Sequence, residues 1–301
     1  MQNILTLIAA PHNAVLTPRV TNAVRDALAL ARGKVAPADW LDQGIACDIL
    51  FDGVDLAEAE KVAKVALRSA PVDVVAQRNA PNRRKKALVA DMESTIIRNE
   101  MLDEIAYLAD IGEKVADITR RAMNGELDFF AALRERVGLL KDQPASLLAE
   151  AATRIKLMPG AQVLLATLKE HGVHTALVSG GFDYYTQPVA EQLGFDEQQA
   201  NHLIIADEKI AGSVREPILG KEAKLEALQR VAKARGISEA DCITVGDGAN
   251  DLAMLGAAGM GVAYHAKPTV QQQAKINIRH GDLTALLYLQ GYRADEIFGR
   301  G

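Results

Sequence analysis

The chain has 301 residues, 49% hydrophobic and 24% charged, the proportions of an ordered globular protein with one large domain or two smaller ones. Those figures exclude a disordered or collagen-like chain, and no apolar run reaches the roughly 18 residues of a membrane-spanning helix. Its 34 basic and 39 acidic residues leave a net charge of −5, too mildly acidic to point to nucleic acid as a partner.

Ile4–Ala9 (ILTLIA) reads as a short buried strand ended by Pro11 and Asn13. Thr17 is placed to cap a helix that starts at Pro18, and Val20, Val24, Leu28 and Leu30 recur at roughly helical spacing up to Gly33. Ala46–Phe51 (ACDILF) predicts a second strand, Asp55 caps a second helix towards Pro71, and Val72–Ala76 (VDVVA) predicts a third strand. A small sheet with both helices on one face would bury the two apolar stripes. This part carries no catalytic constellation.

The stretch NAPNRRKK (79–86) is the clearest boundary in the chain, and Arg83–Lys86 reads as a solvated linker. Residues 1–84 hold 10 basic and 9 acidic residues, so the remaining 24 and 30 carry the whole negative excess. The predicted division is therefore 1–84 and 85–301. The first basic residue is Arg19, unlike the basic start of a signal peptide. Cys47 and Cys242, far apart in sequence, read as reduced thiols of a cytoplasmic protein.

From Ala87 a pattern recurs: ALVAD (87–91), TALVSGG (175–181), CITVGDGAND (242–251) and MGVAYH (260–265) are apolar runs ending in small or polar residues. Helical stretches separate them, as at Ala161–Glu170 before Gly172. Apolar strands alternating with helices predict an α/β fold with a doubly wound parallel sheet, whose ligands bind beyond the carboxyl ends of the strands. Asp91, Ser179 and Asp247 all fall at such ends. Between the first two strands, residues 98–156 show helical periodicity (Ile105, Leu108, Ile111, Val115, Ile118; then Leu133, Val137, Leu140), the mark of an inserted helical cap. HLIIADEKIAGSV (202–214) reads as a β-hairpin.

Four pieces carry chemistry. A carboxylate after a strand, Asp91, can attack phosphorus, and Glu93 two residues on can protonate the leaving oxygen and then deprotonate water. An Asp or Ser ahead of a helix is also an ordinary N-cap. In Gly246-Asp247-Gly248-Ala249-Asn250-Asp251 the glycines allow a tight turn and two carboxylates can hold a hard cation such as Mg²⁺. Ser179-Gly180-Gly181 offers a hydroxyl and backbone N–H groups to phosphate oxygens. Leu177 stands where a serine-hydrolase elbow needs Gly. Lys224, with Lys221 as runner-up, would compensate the charge of Asp91, Glu93, Asp247 and Asp251. His171 and His174 read as solvated or capping residues, and Gly256–Gly261 as a helix-to-strand turn.

These pieces, in this order, resemble the haloacid dehalogenase superfamily of aspartyl-phosphate phosphatases, and within it the phosphoserine phosphatase family, over roughly residues 85–290. NEMLDEIA (99–106), AMNGELDF (122–129) and LRERVGLL (133–140) resemble the cap segments of that family, and SGGFD (179–183) and VGDGANDLAML (245–255) match it almost residue for residue. The resemblance implies Asp91 as nucleophile and Glu93 as general acid and base. It implies Mg²⁺ held by the Asp91 side chain, the backbone carbonyl of Glu93 and Asp247. Ser179, Gly180, Lys224 and Asn250 would contact the phosphoryl group, with Asp251 supporting Lys224 and the metal. Glu100 would receive the serine ammonium and Arg136 its carboxylate, while Met123 and Phe129 shield the site from water. A zwitterion is well read by one acid and one forked guanidinium; alone, Arg136 also fits a surface ion pair with a nearby Glu.

The implied activity is Mg²⁺-dependent hydrolysis of O-phospho-L-serine, the last step of serine biosynthesis. Transfer of the phosphoryl group to another alcohol such as homoserine, or a slow ligand-sensing homologue, are the alternatives. The family usually has Asp where this chain has Glu93, and that added methylene moves the carboxyl relative to the leaving oxygen. The first 84 residues resemble the small α+β amino-acid-binding regulatory (ACT-like) modules found ahead of this family's catalytic domains, which implies serine binding, a homodimer contact or simple packing.

Overall fold

The computed structural model describes residues 1–123 and 126–300, without the side chain of Met123. The apolar run near the start forms β1 (Asn3–Ala9), buried along its whole length. It is followed by α1 (Pro18–Leu30), β2 (Lys34–Asp42), β3 (Ala46–Asp52), α2 (Leu56–Leu67) and β4 (Val72–Arg78), paired antiparallel in the order β2-β3-β1-β4. Thr17 caps α1 by accepting from Val20 N, and Asp55 caps α2 by accepting from Glu58 N. Val24 and Leu28 of α1 and Ala59, Ala63 and Leu67 of α2 cover one face of the sheet, against Leu5, Leu7, Ile49 and Phe51. Ile8, Ala46 and Val75 on the other face join the cluster that holds Leu286, Tyr288 and Tyr292. Covering both faces explains why β1 reads as a continuous apolar run rather than an alternating one.

Strand β2 had no counterpart in the sequence reading. It is an edge strand, mostly half-exposed, interrupted by Pro37 and by two register shifts, so it lacks the apolar alternation that marks a strand. The solvated linker expected at Arg83–Lys86 is also corrected. Arg83 forks onto Asp48 at 2.6 and 2.9 Å and donates from Nε to Leu289 O at 2.9 Å, and Lys85 is buried. Arg84 and Lys86 are the exposed members of the run.

The parallel sheet comprises β5 (Ala87–Ala90), β6 (His174–Phe182), β7 (Glu197–Asn201), β10 (Cys242–Gly246), β11 (Met260–Tyr264) and β12 (Ile276–Ile278), in the order β12-β11-β10-β5-β6-β7. Leu88, Leu177, Ile243 and Val245 face α7 (Ala161–Glu170), α8 (Asp183–Leu193) and α12 (Ala285–Leu289). Ala87, Val89, Val178 and Cys242 face α9 (Lys221–Arg235) and α10 (Leu252–Ala257), with α11 (Pro268–Gln273) completing that layer. β7 (EQQAN) and β12 (INI) went unread because one is polar and the other only three residues long. The Gly256–Gly261 turn is tight: a Cβ on Gly261 would lie 1.9 Å from Leu255 O.

The cap is tied at its root, where Arg98 N donates to Lys156 O and Met158 N to Ile96 O. It contains α3 (Met101–Leu108), α4 (Gly112–Met123), α5 (Phe129–Gly138) and α6 (Ser146–Ala152). The periodic stretch from Ile105 to Ile118 is two helices, broken where Asp110 takes a φ of +57°. The hairpin of β8 (Leu203–Ala206) and β9 (Lys209–Val214) turns through Asp207 and Glu208, both at positive φ, and Ile210 N donates to Gln143 O of the cap. Among the described residues no helix is long and apolar enough to cross a membrane.

Candidate active site

Strand order reverses at β5, between β6 and β10, and the polar strand ends meet there. Asp91 N donates to Val245 O, so the ladder carries Asp91 to the level of Asp247. Carboxylate oxygens of Asp91, Asp247 and Asp251 lie within 4.8 Å of one another, all three buried. Such packing of like charges protonates some of them unless cations compensate. Lys224 from α9 supplies one: its Nζ is 2.7 Å from Asp91 Oδ1 and 2.5 Å from Asp251 Oδ1. The other oxygen of Asp251 accepts from Gly248 N at 2.9 Å. A Cβ on Gly246 would come within 2.3 Å of the Asp251 side chain, so this approach needs glycine. The runner-up, Lys221, points to solvent beside Glu222.

Burial pushes the Asp91 carboxyl well above its ordinary range, Lys224 pulls it back, and Asp251 and Asp247 push it further. Burial also works against the Lys224 charge, but Asp91 and Asp251 outweigh it and hold the ammonium above the usual lysine range. Asp247 is raised to about 6 by burial, opposed by Lys267. Two of the three carboxylates are thus pushed towards their neutral form with Lys224 alone, and a divalent cation would reverse that push. All-oxygen donors in a compact set fit a hard cation. The Glu93 side chain is not in this cluster. Its Oε1 accepts from Met101 N at 2.8 Å and its Oε2 lies 3.5 Å from the Ser179 hydroxyl. Burial and the Glu100 charge raise Glu93 to about 7, although the Met101 N–H lowers it.

Over these groups lies a cleft of about 440 Å³ lined by Asp91, Glu93, Glu100, Phe129, Arg136, Gly180, Asp247 and Asn250. Ser179 is buried just beneath it and accepts from Gly181 N at 2.9 Å. Glu100 accepts from the Ser94 hydroxyl at 2.7 Å. Arg136 has no carboxylate within ion-pair distance among the described residues, and its Nε bonds only Ala132 O of its own helix. Met123, expected to shield the site, ends α4 with its side chain outside the described residues. Every other sequence-predicted site residue lies in or directly under this one cleft.

Two charged lining residues escaped the sequence reading. Lys267, whose Nζ is 3.9 Å from Asp247 Oδ2, lies just past β11, the fourth polar strand end, where the recurring pattern already pointed. Asp103, one turn into α3, carries no sequence signal that separates it from a solvated helix acid. His171 and His174 are engaged elsewhere, with Glu296 O and Glu197.

Residues 88–256 match the haloacid dehalogenase-like hydrolase family. The phosphoserine phosphatase of Haemophilus influenzae is 46% identical over 202 residues, which is 67% of this chain and 64% of that protein, just under two thirds of its length. The unliganded structure of a probable phosphoserine phosphatase from Vibrio cholerae superposes with a TM-score of 0.80 at 33% identity, over 98% of this chain and 88% of that one. A phosphoserine phosphatase structure described as a phospho-aspartyl intermediate analogue gives a TM-score of 0.64 at 42% identity, over 68% of this chain and 98% of the other. On the family match and these relatives, the chain belongs to the haloacid dehalogenase-like hydrolases, in their phosphoserine phosphatase family.

Proposed function

We propose that this chain hydrolyses O-phospho-L-serine to L-serine and phosphate through a phospho-aspartate on Asp91. The observation that carries the reading is the pairing of Asp91, held by Lys224 at 2.7 Å, with a half-buried Glu93 raised to about 7 in the same cleft. In the first step an Asp91 oxygen bonds phosphorus, the P–O bond to serine breaks, and protonated Glu93 gives its proton to the departing oxygen. In the second, Glu93 takes a proton from water, the water oxygen bonds phosphorus, and the acyl phosphate breaks to release phosphate and free Asp91. A raised carboxyl suits both tasks near neutrality.

Lys224, the Ser179 hydroxyl, Gly180 and Asn250 are the groups we assign to the phosphoryl oxygens. Glu100 and Arg136 face the same cleft from the cap and supply the opposite charges that a serine zwitterion requires. Phe129 closes over Gly180, where a Cβ would meet its ring at 3.3 Å. We assign the cation to Asp91, Asp247 and the backbone carbonyl of Glu93, and read it as Mg²⁺; bound there, it neutralises the phosphoryl charge. We assign residues 1–84 to a regulatory domain and 85–301 to the catalytic one. The free, buried Cys47 and Cys242 support a reducing, cytoplasmic setting.

The test is phosphate release from O-phospho-L-serine, with Mg²⁺ and with EDTA, for wild type and Asp91→Asn. Turnover should need the cation and vanish in the variant. Full activity in Asp91→Asn would remove the nucleophile assignment.

A further inference from the structure

The pairing of β6 with β7 is interrupted where the phosphoryl group is assigned. The two strands run in register from Ala176 opposite Glu197 to Val178 opposite Gln199, then resume at Phe182 opposite Asn201. Ser179, Gly180 and Gly181 therefore stand across from Ala200 alone, and the strand bulges there. A Gly-Gly peptide in a bulge is poorly constrained by its own sterics and can turn its N–H and C=O either way. Its orientation matters. Gly181 N donates to Ser179 Oγ at 2.9 Å, which makes that oxygen an acceptor and leaves the hydroxyl hydrogen to be donated.

The C=O of that same planar peptide is held from outside. Asn201, the last residue of β7, is 2% exposed, and its Nδ2 donates to Gly180 O at 2.9 Å. Its Oδ1 accepts from Leu219 N at 2.7 Å, and Nδ2 also reaches Leu219 O at 3.4 Å. A reversed amide would set oxygen against Gly180 O and N–H against Leu219 N–H, so its neighbours fix which way it points. Leu219 precedes Gly220, the N-cap of α9, and Lys224 is the fourth residue of that helix. The cap crowds this entry, since a Cβ on Gly220 would lie 2.7 Å from the Phe130 ring. One buried amide thus spans the two segments that carry Ser179 and Lys224.

We propose that Asn201 is a positioning residue for phosphoryl transfer, acting through Gly180 and α9 rather than on the substrate itself. By holding Gly180 O it fixes the Gly180–Gly181 peptide, and with it the Ser179 hydroxyl. By holding Leu219 it indexes that loop to the helix that brings Lys224 to Asp91. The inference rests on the assignment of Ser179, Gly180 and Lys224 to the phosphoryl oxygens. Without the amide the glycine peptide is free to turn, and donors that must meet developing charge lose their preorganisation.

Orthovanadate, which accepts a fifth oxygen as phosphorus does during transfer, is the probe. Its binding to the full chain with saturating Mg²⁺ is measured by calorimetry, beside steady-state kinetics on O-phospho-L-serine. Asn201→Ala should weaken orthovanadate about tenfold and lower kcat about 30-fold, with KM moved less than about threefold because Glu100 and Arg136 are untouched. Asn201→Asp preserves the shape and the acceptor for Leu219 N, which guards against an alanine variant that fails to fold. At pH 8.5 its carboxylate offers Gly180 O no donor, and orthovanadate should weaken as in Asn201→Ala. At pH 6 a buried carboxyl regains an O–H, and most of the affinity relative to wild type should return. A residue that only stabilised the fold would lower the number of competent molecules and leave their dissociation constant unchanged. Orthovanadate affinity within about twofold of wild type in either folded variant at pH 8.5, or a wild type that binds none, would overturn the proposal. A wild type that binds orthovanadate without hydrolysing O-phospho-L-serine would remove the hydrolase reading instead, and the binding comparison would still decide the role of Asn201.

Discussion

Glu93 reaches from the loop after β5 to the cap, where its Oε1 accepts a 2.8 Å hydrogen bond from the backbone N–H of Met101, the first residue of α3. The same carboxylate occupies space that only a glycine leaves open, since a Cβ on Gly181 would lie 2.7 Å from its Oε2. The surroundings are thus fitted to the longer acid. Glu93→Asp withdraws the carboxyl by one methylene and forfeits the tie to Met101. Turnover should fall about tenfold, because small misplacements of an acid cost rate heavily. The side chain stands outside the acidic cluster, so the metal dissociation constant should change by less than about threefold. Steady-state kinetics beside a metal titration checks both. A metal affinity that shifts more than the rate constant would contradict the assigned role.

The raised carboxyl also makes stability depend on pH. Glu93 moves from an ordinary 4.5 to about 7 in the folded chain, so folding takes up a proton between those values. Its contribution is complete below 4.5 and is lost as pH rises through 7. The full shift corresponds to about 3 kcal/mol, reduced to about 1–2 kcal/mol by partial solvent exposure. Glu93→Gln should therefore gain on wild type by that amount between pH 5 and pH 8 in EDTA. Urea unfolding at the two pH values measures it, with Asp91 and Asp247 cancelling because both proteins carry them. Parallel stability curves would show that Glu93 is not protonated near neutrality.

Lys224 is 3% exposed and Asp251 is fully buried, so removing the ammonium strands two carboxylates away from water. Lys224→Met keeps most of the volume and deletes the charge. In EDTA it should lose about 3–5 kcal/mol of stability, the usual result of breaking one side of a buried ion pair. Saturating Mg²⁺ should recover part of that loss. Turnover should drop about 100- to 1,000-fold, as when one charged donor to a transition state is removed. Denaturant titrations with and without the cation would reveal an error: a deficit that Mg²⁺ leaves untouched means that the cation does not share these carboxylates.

The parallel sheet and its candidate site were legible because the apolar strands at its centre lead straight into the polar residues that line the cleft. Ala87–Ala90 leads into Asp91 and Cys242–Gly246 into Asp247, so burial pattern and site coincide. Lys224 was harder. On spacing it resembles any helical lysine; the need to neutralise Asp91, Glu93, Asp247 and Asp251 left Lys221 as runner-up, and the family resemblance singled Lys224 out. What stayed hidden depends on partners far along the chain. β2 is held by pairing with β3 rather than by its own pattern. Arg83 looked solvated because Asp48 and Leu289, which bury it, lie 35 and 206 residues away.

Arg83 Nη1 and Nη2 fork onto Asp48 at 2.6 and 2.9 Å, Nη2 also reaches Thr6 Oγ1, and Nε meets Leu289 O at 2.9 Å. One side chain thus joins the four-stranded sheet to the end of α12. Arg83→Ala leaves Asp48, only 5% exposed, without its cation and should cost about 3–5 kcal/mol. Arg83→Lys keeps the charge but loses the fork, and should cost less than half as much. The deficit should fall on the seam between the four-stranded and parallel sheets, so scanning calorimetry of Arg83→Ala should show two separated transitions where the wild type shows one. Turnover of O-phospho-L-serine should stay within about twofold, since no catalytic-cleft residue touches Arg83. A single transition at the wild-type temperature would mean that the two sheets are held together by their apolar contact alone.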